Sequence, residues 1–216
     1  MTSLSYTTTT KSLVAEENKL FFRQCLKSPI QLGAFVPTSL KLASLAASQL
    51  NITEKTTIVE IGATTGRLTR AILARGANID RLAVVEPDQT MGDFLKASLC
   101  DLYQLKTQPK IIHGNSEELP KLIPNSWIGK VDYVISTIPL TYMEDAIRER
   151  IIQSALDVLN PETGSIFHVT YSPVSPIRFM EGELLQKRVV SLWKNIPPGF
   201  VWRFTTKRYP YNFCNA

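Results

Sequence analysis

The segment V-E-I-G-A-T-T-G-R-L-T, which begins at Val59, contains a glycine turn, and one acidic residue lies before this turn and another lies after it in the sequence. Glu60 lies in the apolar run before Gly62 and Gly66, and Glu86 ends the next apolar run along the chain. Glycines between a strand and a helix let backbone N–H groups approach a ligand closely. An acid at the turn would repel a pyrophosphate but suits a cation, and an acid about twenty residues further on pairs with ribose hydroxyls. The pattern therefore favours a cationic ribose ligand without phosphates, such as S-adenosylmethionine; a turn that only reverses the chain tightly is the alternative.

Strands alternate with helices around this turn. Five β-branched apolar runs predict strands at 57–61, 81–86, 110–113, 131–136 and 165–171, and amphipathic runs predict helices at 66–75, 88–99 and 144–159. This alternation is typical of a parallel sheet with helices on both faces. After residue 176, the runs K-R-V-V-S-L-W-K and F-V-W-R-F-T-T-K-R surround N-I-P-P-G and predict an antiparallel hairpin, although residues 180–190 could instead be helical. The predicted fold is α/β, with a mostly parallel seven-stranded sheet and a C-terminal antiparallel hairpin.

The first 50 residues precede the first predicted strand. Residues 1–15 lack the continuous apolar stretch of a signal peptide and are predicted to be a flexible polar tail. Lys19, Arg23 and Lys27 recur every four residues and share one face of a predicted helix that also carries large apolar residues. A second helix is predicted from Thr38 or Ser39. We therefore expect residues 1–50 to form a tail with covering or membrane-facing helices, and residues 51–216 to form the ligand-binding domain.

The composition excludes some classes of protein and leaves others open. No segment has eighteen consecutive apolar residues, so a membrane span is not expected. The three cysteines are far apart in the sequence, which fits a reducing compartment and argues against a disulfide framework or a zinc site. We expect no metal. A net charge of +5 is compatible with anionic lipid or nucleic acid as a partner and does not discriminate between them.

The glycine turn resembles the first motif of the class I S-adenosylmethionine-dependent methyltransferases, in which an acid precedes Gly-x-Gly-x-Gly. Glu60, Gly62 and Gly66 match the motif, Thr64 replaces its central glycine, and Glu86 matches the acid that binds ribose. The resemblance covers roughly residues 56–208 and implies a Rossmann-like fold with S-adenosylmethionine as cofactor. The cofactor-binding residues that it implies are Glu60, Gly62, Ala63, Thr64, Gly66, Glu86, Pro87, Asn115, Ser116 and Ser136.

Three further polar residues, one asparagine and two histidines, need an interpretation. Asn115, in H-G-N-S-E-E-L, stands where that superfamily has a residue that touches the adenine amino group. A loop asparagine that holds its own turn is the alternative. His113 and His168 lie on apolar strands without a second metal ligand at useful spacing, so we expect them to be structural.

Longer stretches outside the cofactor motif resemble the bacterial phospholipid N-methyltransferases. These stretches are F-F-R-Q-C-L-K-S-P-I-Q-L-G-A-F-V-P-T-S, S-T-I-P-L and N-I-P-P-G-F-V-W-R-F, and the resemblance spans nearly the whole chain after residue 19. It implies methylation of phosphatidylethanolamine or a related aminolipid, as in phosphatidylcholine biosynthesis. It also implies peripheral association with the cytoplasmic face of the membrane. The N-terminal helix is the predicted contact with an anionic membrane surface, and an ordinary packing helix is the alternative. No oligomeric state is indicated.

The segment Ser136 to Leu140 bears on the methyl acceptor. The related ribosomal RNA adenine dimethyltransferases carry Asn-Leu-Pro-Tyr or a close variant here, and its aromatic ring stacks the target base. Ser136 replaces the Asn and Leu140 replaces the ring, which argues against an extruded base as substrate and against a stable nucleic-acid partner, although Tyr142, two residues later, could partly substitute for the ring. Ser136, Pro139 and Tyr142 are the predicted catalytic residues. An RNA adenine N6-methyltransferase without an accessory domain and a non-catalytic S-adenosylmethionine-binding protein remain alternatives.

Overall fold

A computed structural model describes residues 13–24, 37–103 and 108–206 of the 216-residue chain. Lys27 and residues 1–12 of the predicted tail lie outside the described residues. The chain divides into two units after Pro37. The first contains helix α1, residues 13–24, and the second contains every other helix and strand that the structure describes. The helix predicted from Thr38 or Ser39 thus belongs to the larger unit, whereas the sequence grouped it with residues 1–50.

Seven strands form one sheet in the order β3-β2-β1-β4-β5-β7-β6. The strands from β1 to β5 are parallel, β7 is antiparallel to β5, and β6 is antiparallel to β7. This arrangement confirms the predicted fold, and the helical alternative for 180–190 is wrong because β6 occupies most of that range. The strands are β1 Ile58–Ile61, β2 Leu82–Glu86, β3 Lys110–His113, β4 Tyr133–Ser136, β5 Ser165–Thr170, β6 Leu184–Leu192 and β7 Gly199–Thr206.

Side chains at the predicted starts cap two of the helices. The Ser39 hydroxyl accepts a hydrogen bond from the Leu42 N–H at 3.2 Å, and an Asp88 carboxylate oxygen accepts one from the Met91 N–H at 2.9 Å. None of the helices in the described part of the chain is both long and apolar enough to cross a membrane. The helices of the larger unit are α2 Leu40–Ala47, α3 Arg67–Ala74, α4 Gln89–Tyr103, α5 Leu119–Leu122 and α6 Asp145–Val158.

The sheet separates two hydrophobic cores. Alternate residues of a strand point to opposite faces, so Val59 and Ile61 enter the core beneath α5 and α6. Ile58 enters the core formed with α2, α3 and α4 on the other face. All four residues of β1 are buried, which explains the continuous apolar run that predicted this strand. We refer to the two sides of the sheet as the α6 face and the α3 face.

The order of the strands places two carboxyl ends side by side at the centre of the sheet. β1 lies between β2 and β4. From β1 the chain adds β2 and then β3 on one side, and after β3 it crosses to the other side of β1 to form β4. Ile61, the last residue of β1, is paired with Ser136, the last residue of β4. Ligands of open α/β sheets bind at this kind of switch in strand order, beyond the carboxyl ends of the strands.

Candidate functional site

The turn after β1 has a backbone that only glycine accommodates easily at its two ends. Gly62 has φ +74° and Gly66 has φ +82°, and Gly66 is the residue that precedes α3. A Cβ on Gly62 would overlap the Ile138 side chain and lie 3.2 Å from the Ile138 nitrogen, and one on Gly66 would overlap Leu95. The Gly62 N–H donates to the Val85 carbonyl at 2.9 Å, which ties the turn to β2. The turn is therefore held closely between β2, α4 and the loop after β4.

Thr64, the departure from the glycine motif, adopts the backbone conformation that glycine prefers. Its φ is +50°, and among the described residues it is the non-glycine residue with positive φ. Its N–H donates to a carboxylate oxygen of Glu86 at 2.7 Å. The left-handed conformation costs a side-chain-bearing residue about 1–2 kcal/mol, so the threonine preserves the shape of the motif at an energetic cost.

Glu86 connects the glycine turn to the start of α4. One carboxylate oxygen accepts the Thr64 N–H, and the other accepts the Asp88 N–H at 3.0 Å. Glu86 is buried, and burial raises its pKa above the ordinary value while these two hydrogen bonds act in the opposite direction. Each oxygen can accept a second hydrogen bond, so the carboxylate retains the capacity to bind two hydroxyl groups.

Glu60 lies on the α3 face of β1, two residues before Gly62, and is fully buried. Neither carboxyl oxygen has a hydrogen-bond partner among the described residues. Burial raises its pKa from 4.5 to about 8, and the nearby Glu86 carboxylate adds to this effect. The nearby Thr69 side chain lowers the pKa of Glu60, although its hydroxyl does not form a hydrogen bond of normal geometry with the carboxyl group. A buried carboxyl group without a partner is costly to ionise, and a cation bound nearby would offset that cost.

The loop after β4 packs directly on the glycine turn. The Thr137 hydroxyl donates to the Gly62 carbonyl, and the Thr137 N–H donates to the Ile61 carbonyl at 3.2 Å. Leu140 is buried in the α6-face core, whereas Tyr142 is 75% exposed on the short helical turn that follows Pro139. Sequence reasoning did not single out Thr137 or Ile138, since their types carry no chemical signal without the contact to Gly62.

Ser136 points to the opposite face of the sheet from both acids. Its register partners are Ile61 and His168, and its hydroxyl lies 3.3 Å from Nδ1 of His168. Burial lowers the pKa of His168 to about 3, so this imidazole is neutral, in keeping with a structural histidine. The site residues predicted from sequence thus separate into Glu60 and Glu86 on the α3 face and Ser136 on the α6 face. They approach one another only at the carboxyl edge of the sheet.

Asn115 holds its own turn. Its side-chain oxygen accepts the Glu117 N–H at 3.2 Å, and its amide donates to the Glu117 carboxylate at 3.1 Å. This is the geometry expected for a loop asparagine, and the neighbouring Ser116 is buried. A cavity of about 330 Å³ opens beside Glu86 and extends to His113, the last residue of β3. The ends of β2 and β3 therefore border a space next to the ribose-type acid. In the described ranges, His, Cys, Asp and Glu do not gather in groups of three that could hold a metal ion.

Comparison with solved structures shows the same fold in known methyltransferases. The magnesium protoporphyrin IX methyltransferase ChlM of Synechocystis PCC 6803, solved with bound S-adenosylmethionine, matches with a TM-score of 0.59 and 11% identity over 77% of each chain. TrmK of M. capricolum, solved with S-adenosylhomocysteine, matches with a TM-score of 0.59 and 14% identity over 82% of this chain and 72% of its own. The chain has the class I methyltransferase fold.

A curated protein is similar in sequence over most of the chain. The ornithine lipid N-methyltransferase of Singulisphaera acidiphila is 22% identical over 179 residues, which cover 83% of this chain and 91% of that protein. No family model matches the chain. The similarity reaches beyond the cofactor motif, because the aligned length exceeds the span from β1 to the end of the sheet.

Proposed function

We propose that this protein is an S-adenosylmethionine-dependent N-methyltransferase that acts on the amine of an aminolipid at the membrane surface. The proposal of S-adenosylmethionine as cofactor rests on two buried carboxyl groups, those of Glu60 and Glu86. They lie on either side of the glycine turn, at the switch in strand order. The similarity to an ornithine lipid N-methyltransferase supports the proposal of an aminolipid as substrate.

The residues present fit the proposed cofactor. The two glycines allow the turn to pack tightly on Ile138 and Leu95, and Glu86 has free acceptor capacity for the two ribose hydroxyls. Glu60 is a buried carboxyl group without a partner, and a sulfonium cation nearby would favour its ionised form. Asn115 and Ser116, at the end of β3, are the residues that we propose for the adenine end.

The chain's own contribution is positioning and the exclusion of water. When bound, the cofactor supplies an electrophilic methyl group on a positively charged sulfur. Glu86 and the glycine turn would hold the cofactor's ribose, while the Ile138 side chain forms an apolar contact beside the turn. An amine attacks only through a neutral lone pair, so an ammonium group must first release its proton to solvent; alignment and the exclusion of water then favour methyl transfer. Ser136, Pro139 and the exposed Tyr142 remain our proposed residues for orienting the amine.

The loop after β4 favours a lipid amine over an RNA base. Leu140 occupies the position of the base-stacking ring, and its side chain is buried in the core, where it cannot stack on a ligand. Phosphatidylethanolamine and its methylated derivatives, and ornithine lipids, all present an amine at the bilayer surface. We propose this chemical class as the substrate. Phosphatidylethanolamine as the acceptor would place the protein in phosphatidylcholine biosynthesis.

Helix α1 supports peripheral membrane association. Lys19, Phe22 and Arg23 are exposed on it, whereas Phe21 is buried. Exposed basic and aromatic side chains on one helix suit the interface of an anionic bilayer, at about 1 kcal/mol for each basic residue. We therefore propose a location at the cytoplasmic face of the membrane. Replacing Lys19 and Arg23 with glutamine should reduce sedimentation with anionic vesicles at low salt, and unchanged sedimentation would assign α1 a purely structural role.

A lipid methylation assay tests the proposed function. The purified protein is incubated with methyl-labelled S-adenosylmethionine and vesicles that contain either phosphatidylethanolamine or ornithine lipid, and labelled lipids are separated by chromatography. We expect label in at least one aminolipid, and much less label with a Glu86→Ala variant at a cofactor concentration below saturation. A parallel incubation with ribosomal RNA tests the alternative. Cofactor binding without a labelled lipid would contradict the proposed substrate class.

A further inference from the structure

The tip of the β6–β7 hairpin carries two large apolar side chains that face solvent. Trp193 is 64% exposed and Ile196 is 94% exposed. Isoleucine and tryptophan usually bury most of their apolar surface in a folded domain, so an exposure of this size at two positions three residues apart suggests an interaction surface.

The topology places this tip at the same edge of the sheet as the glycine turn. β5 is parallel to β4, and its last residue, Thr170, is paired with Phe200 near the start of β7. Residues 193–198 precede that start, so they lie beyond the carboxyl end of β5. The glycine turn lies beyond the carboxyl end of β1 in the same sheet. The hairpin tip therefore projects from the edge where the proposed cofactor site opens.

The start of α2 and the turn after β4 extend the apolar surface along this edge. Gly199 lies against Leu42. Burial raises the pKa of Tyr171, the residue that follows β5, while the Ser39 backbone close to its hydroxyl acts in the opposite direction. These contacts bring the exposed Leu40 to the carboxyl edge. The exposed Tyr142 follows the carboxyl end of β4. We call this set the apolar rim: Leu40, Tyr142, Trp193 and Ile196, with the neighbouring lysines Lys41 and Lys194.

The hairpin tip is ordered by its own contacts. The Trp193 ring packs edge-on against the buried Phe200 ring, with centroids 5.2 Å apart and an interplanar angle of 83°. The Asn195 side-chain amide donates to the Pro197 carbonyl at 2.6 Å. A surface that is fixed before binding loses little conformational entropy when it binds, so exposed apolar groups held in this way are suited to docking.

The charges of the rim match an anionic surface. The exposed Lys41 and Lys194 lie in the segments 39–42 and 192–198, and the two exposed acids after Tyr142 are Glu144 and Asp145, of which Asp145 is paired with Arg148. Each lysine is adjacent in sequence to an apolar rim residue. Tryptophan and aliphatic side chains beside lysine are typical of protein segments that lie in the headgroup region of a bilayer.

We propose that the apolar rim docks on an anionic lipid bilayer and turns the mouth of the cofactor site toward the membrane. This inference rests on the proposed function and deepens it, because a lipid amine would then meet the site without leaving the bilayer. The residues of the rim belong to the larger unit of the chain, whereas helix α1 belongs to the other unit.

Vesicle binding by matched variants tests the proposal. The double variant Trp193→Ser/Ile196→Ser removes the tip's apolar groups and should lower partitioning onto vesicles of phosphatidylglycerol and phosphatidylcholine about tenfold or more. Trp193→Phe keeps an aromatic ring and should retain binding. The control is Ile128→Ser: Ile128 is 36% exposed and precedes β4, at the opposite edge of the sheet, so its change should leave binding unaltered. Equal thermal unfolding of the variants would establish that they are folded.

The charge contribution and the depth of insertion give two further measurements. Lys41→Gln/Lys194→Gln should weaken binding to the mixed vesicles several-fold and have little effect with phosphatidylcholine alone. Brominated lipids should quench tryptophan fluorescence in the parent protein, and Trp193→Phe should remove most of that quenching. Binding of the double variant at the parent's level would overturn the proposal. So would a soluble dimer that the double variant dissociates, because the rim would then contact a second copy of the chain.

The same variants separate this proposal from the proposed function. If the double variant methylates detergent-dispersed aminolipid at the parent's rate and vesicle lipid much more slowly, both proposals are supported. If parent and double variant methylate vesicle lipid equally, the rim proposal fails and the lipid methyltransferase stands. If no lipid is methylated while vesicle binding depends on the rim, the docking surface stands and the proposed substrate fails.

Discussion

Replacement of the buried Glu60 by glutamine should stabilise the ligand-free protein at neutral and alkaline pH. Burial raises the pKa of Glu60 from 4.5 to about 8, so the folded protein keeps a proton that the unfolded chain releases between these values. The unfolded state therefore binds fewer protons than the native state, and the free energy of unfolding falls as pH rises through this window. Glutamine has nearly the same shape and no ionisable group, so it removes this pH dependence.

The pKa values set the size of the effect. Each pH unit between 4.5 and about 8 costs the native state up to about 1.4 kcal/mol. Over the whole window the loss reaches at most about 5 kcal/mol, which is a large part of the stability of a typical domain. Because the glutamine side chain also has no partner at this position, part of the gain is offset by an unsatisfied amide. We expect a net gain of about 1–3 kcal/mol at alkaline pH.

Urea denaturation at about pH 6 and about pH 8.5 measures the effect. The difference in unfolding free energy between Glu60→Gln and the parent should grow over this interval. Comparing two proteins at each pH cancels the titration of histidines and cysteines that they share. Glu149→Gln, a change to an exposed glutamate on α6, serves as the control and should follow the parent at both pH values.

A parallel loss of stability in parent and Glu60→Gln would refute this reasoning. Glu60 would then ionise at its ordinary pKa inside the folded protein, and the argument that it awaits a cationic ligand would fail. Addition of S-adenosylmethionine supplies a second readout. Its stabilising effect relative to the neutral S-adenosylhomocysteine should increase with pH in the parent and stay constant in Glu60→Gln.

Three other changes test the site and its support. Glu86→Ala should weaken S-adenosylmethionine binding about tenfold or more, because charge-assisted hydrogen bonds to ribose are lost; calorimetric titration with unchanged affinity would remove Glu86 from the site. Thr64→Gly should raise the free energy of unfolding by up to about 1 kcal/mol in urea, because glycine relieves the positive φ, and a loss of stability would contradict that account. His168→Gln should reduce the acid sensitivity of stability below pH 6.5, since burial lowers the pKa of His168 to about 3 and the unfolded chain gains its proton first; an equally steep acid loss in the variant would argue against a buried neutral imidazole.

The sequence predicted the sheet because its parallel strands are buried on both faces and appear as continuous apolar runs. It also predicted that Glu60 and Glu86 lie at the carboxyl ends of their strands, because each acid stands at the end of an apolar run. It could not predict that Ser136 and these acids occupy opposite faces, because the relative register of separate strands is not visible in the chain. The role of Thr137 was hidden for a similar reason: its partner, Gly62, is 75 residues away.

The helix considered for residues 180–190 shows a second limit of the sequence. L-L-Q-K-R-V-V-S-L contains helix-forming residues beside β-branched ones, so local propensity leaves the choice open. Pairing with β7 selects the strand over the helix. That pairing depends on the N-I-P-P-G connection and on the pairing of β7 with β5. Exposure at the hairpin tip was equally out of reach, because the sequence does not show whether Trp193 and Ile196 pack on another element.

If the protein is the proposed methyltransferase, the contact between Ile138 and Gly62 limits how it can be re-engineered for new acceptors. Residues of the loop after β4 are natural targets for altering acceptor preference, yet the first two of them brace the glycine turn through the Thr137 hydroxyl and the Ile138 side chain. Randomising these two positions would disturb cofactor affinity together with acceptor choice. A library that holds Thr137 and Ile138 constant and varies the chain from Thr141 onward would uncouple the two properties.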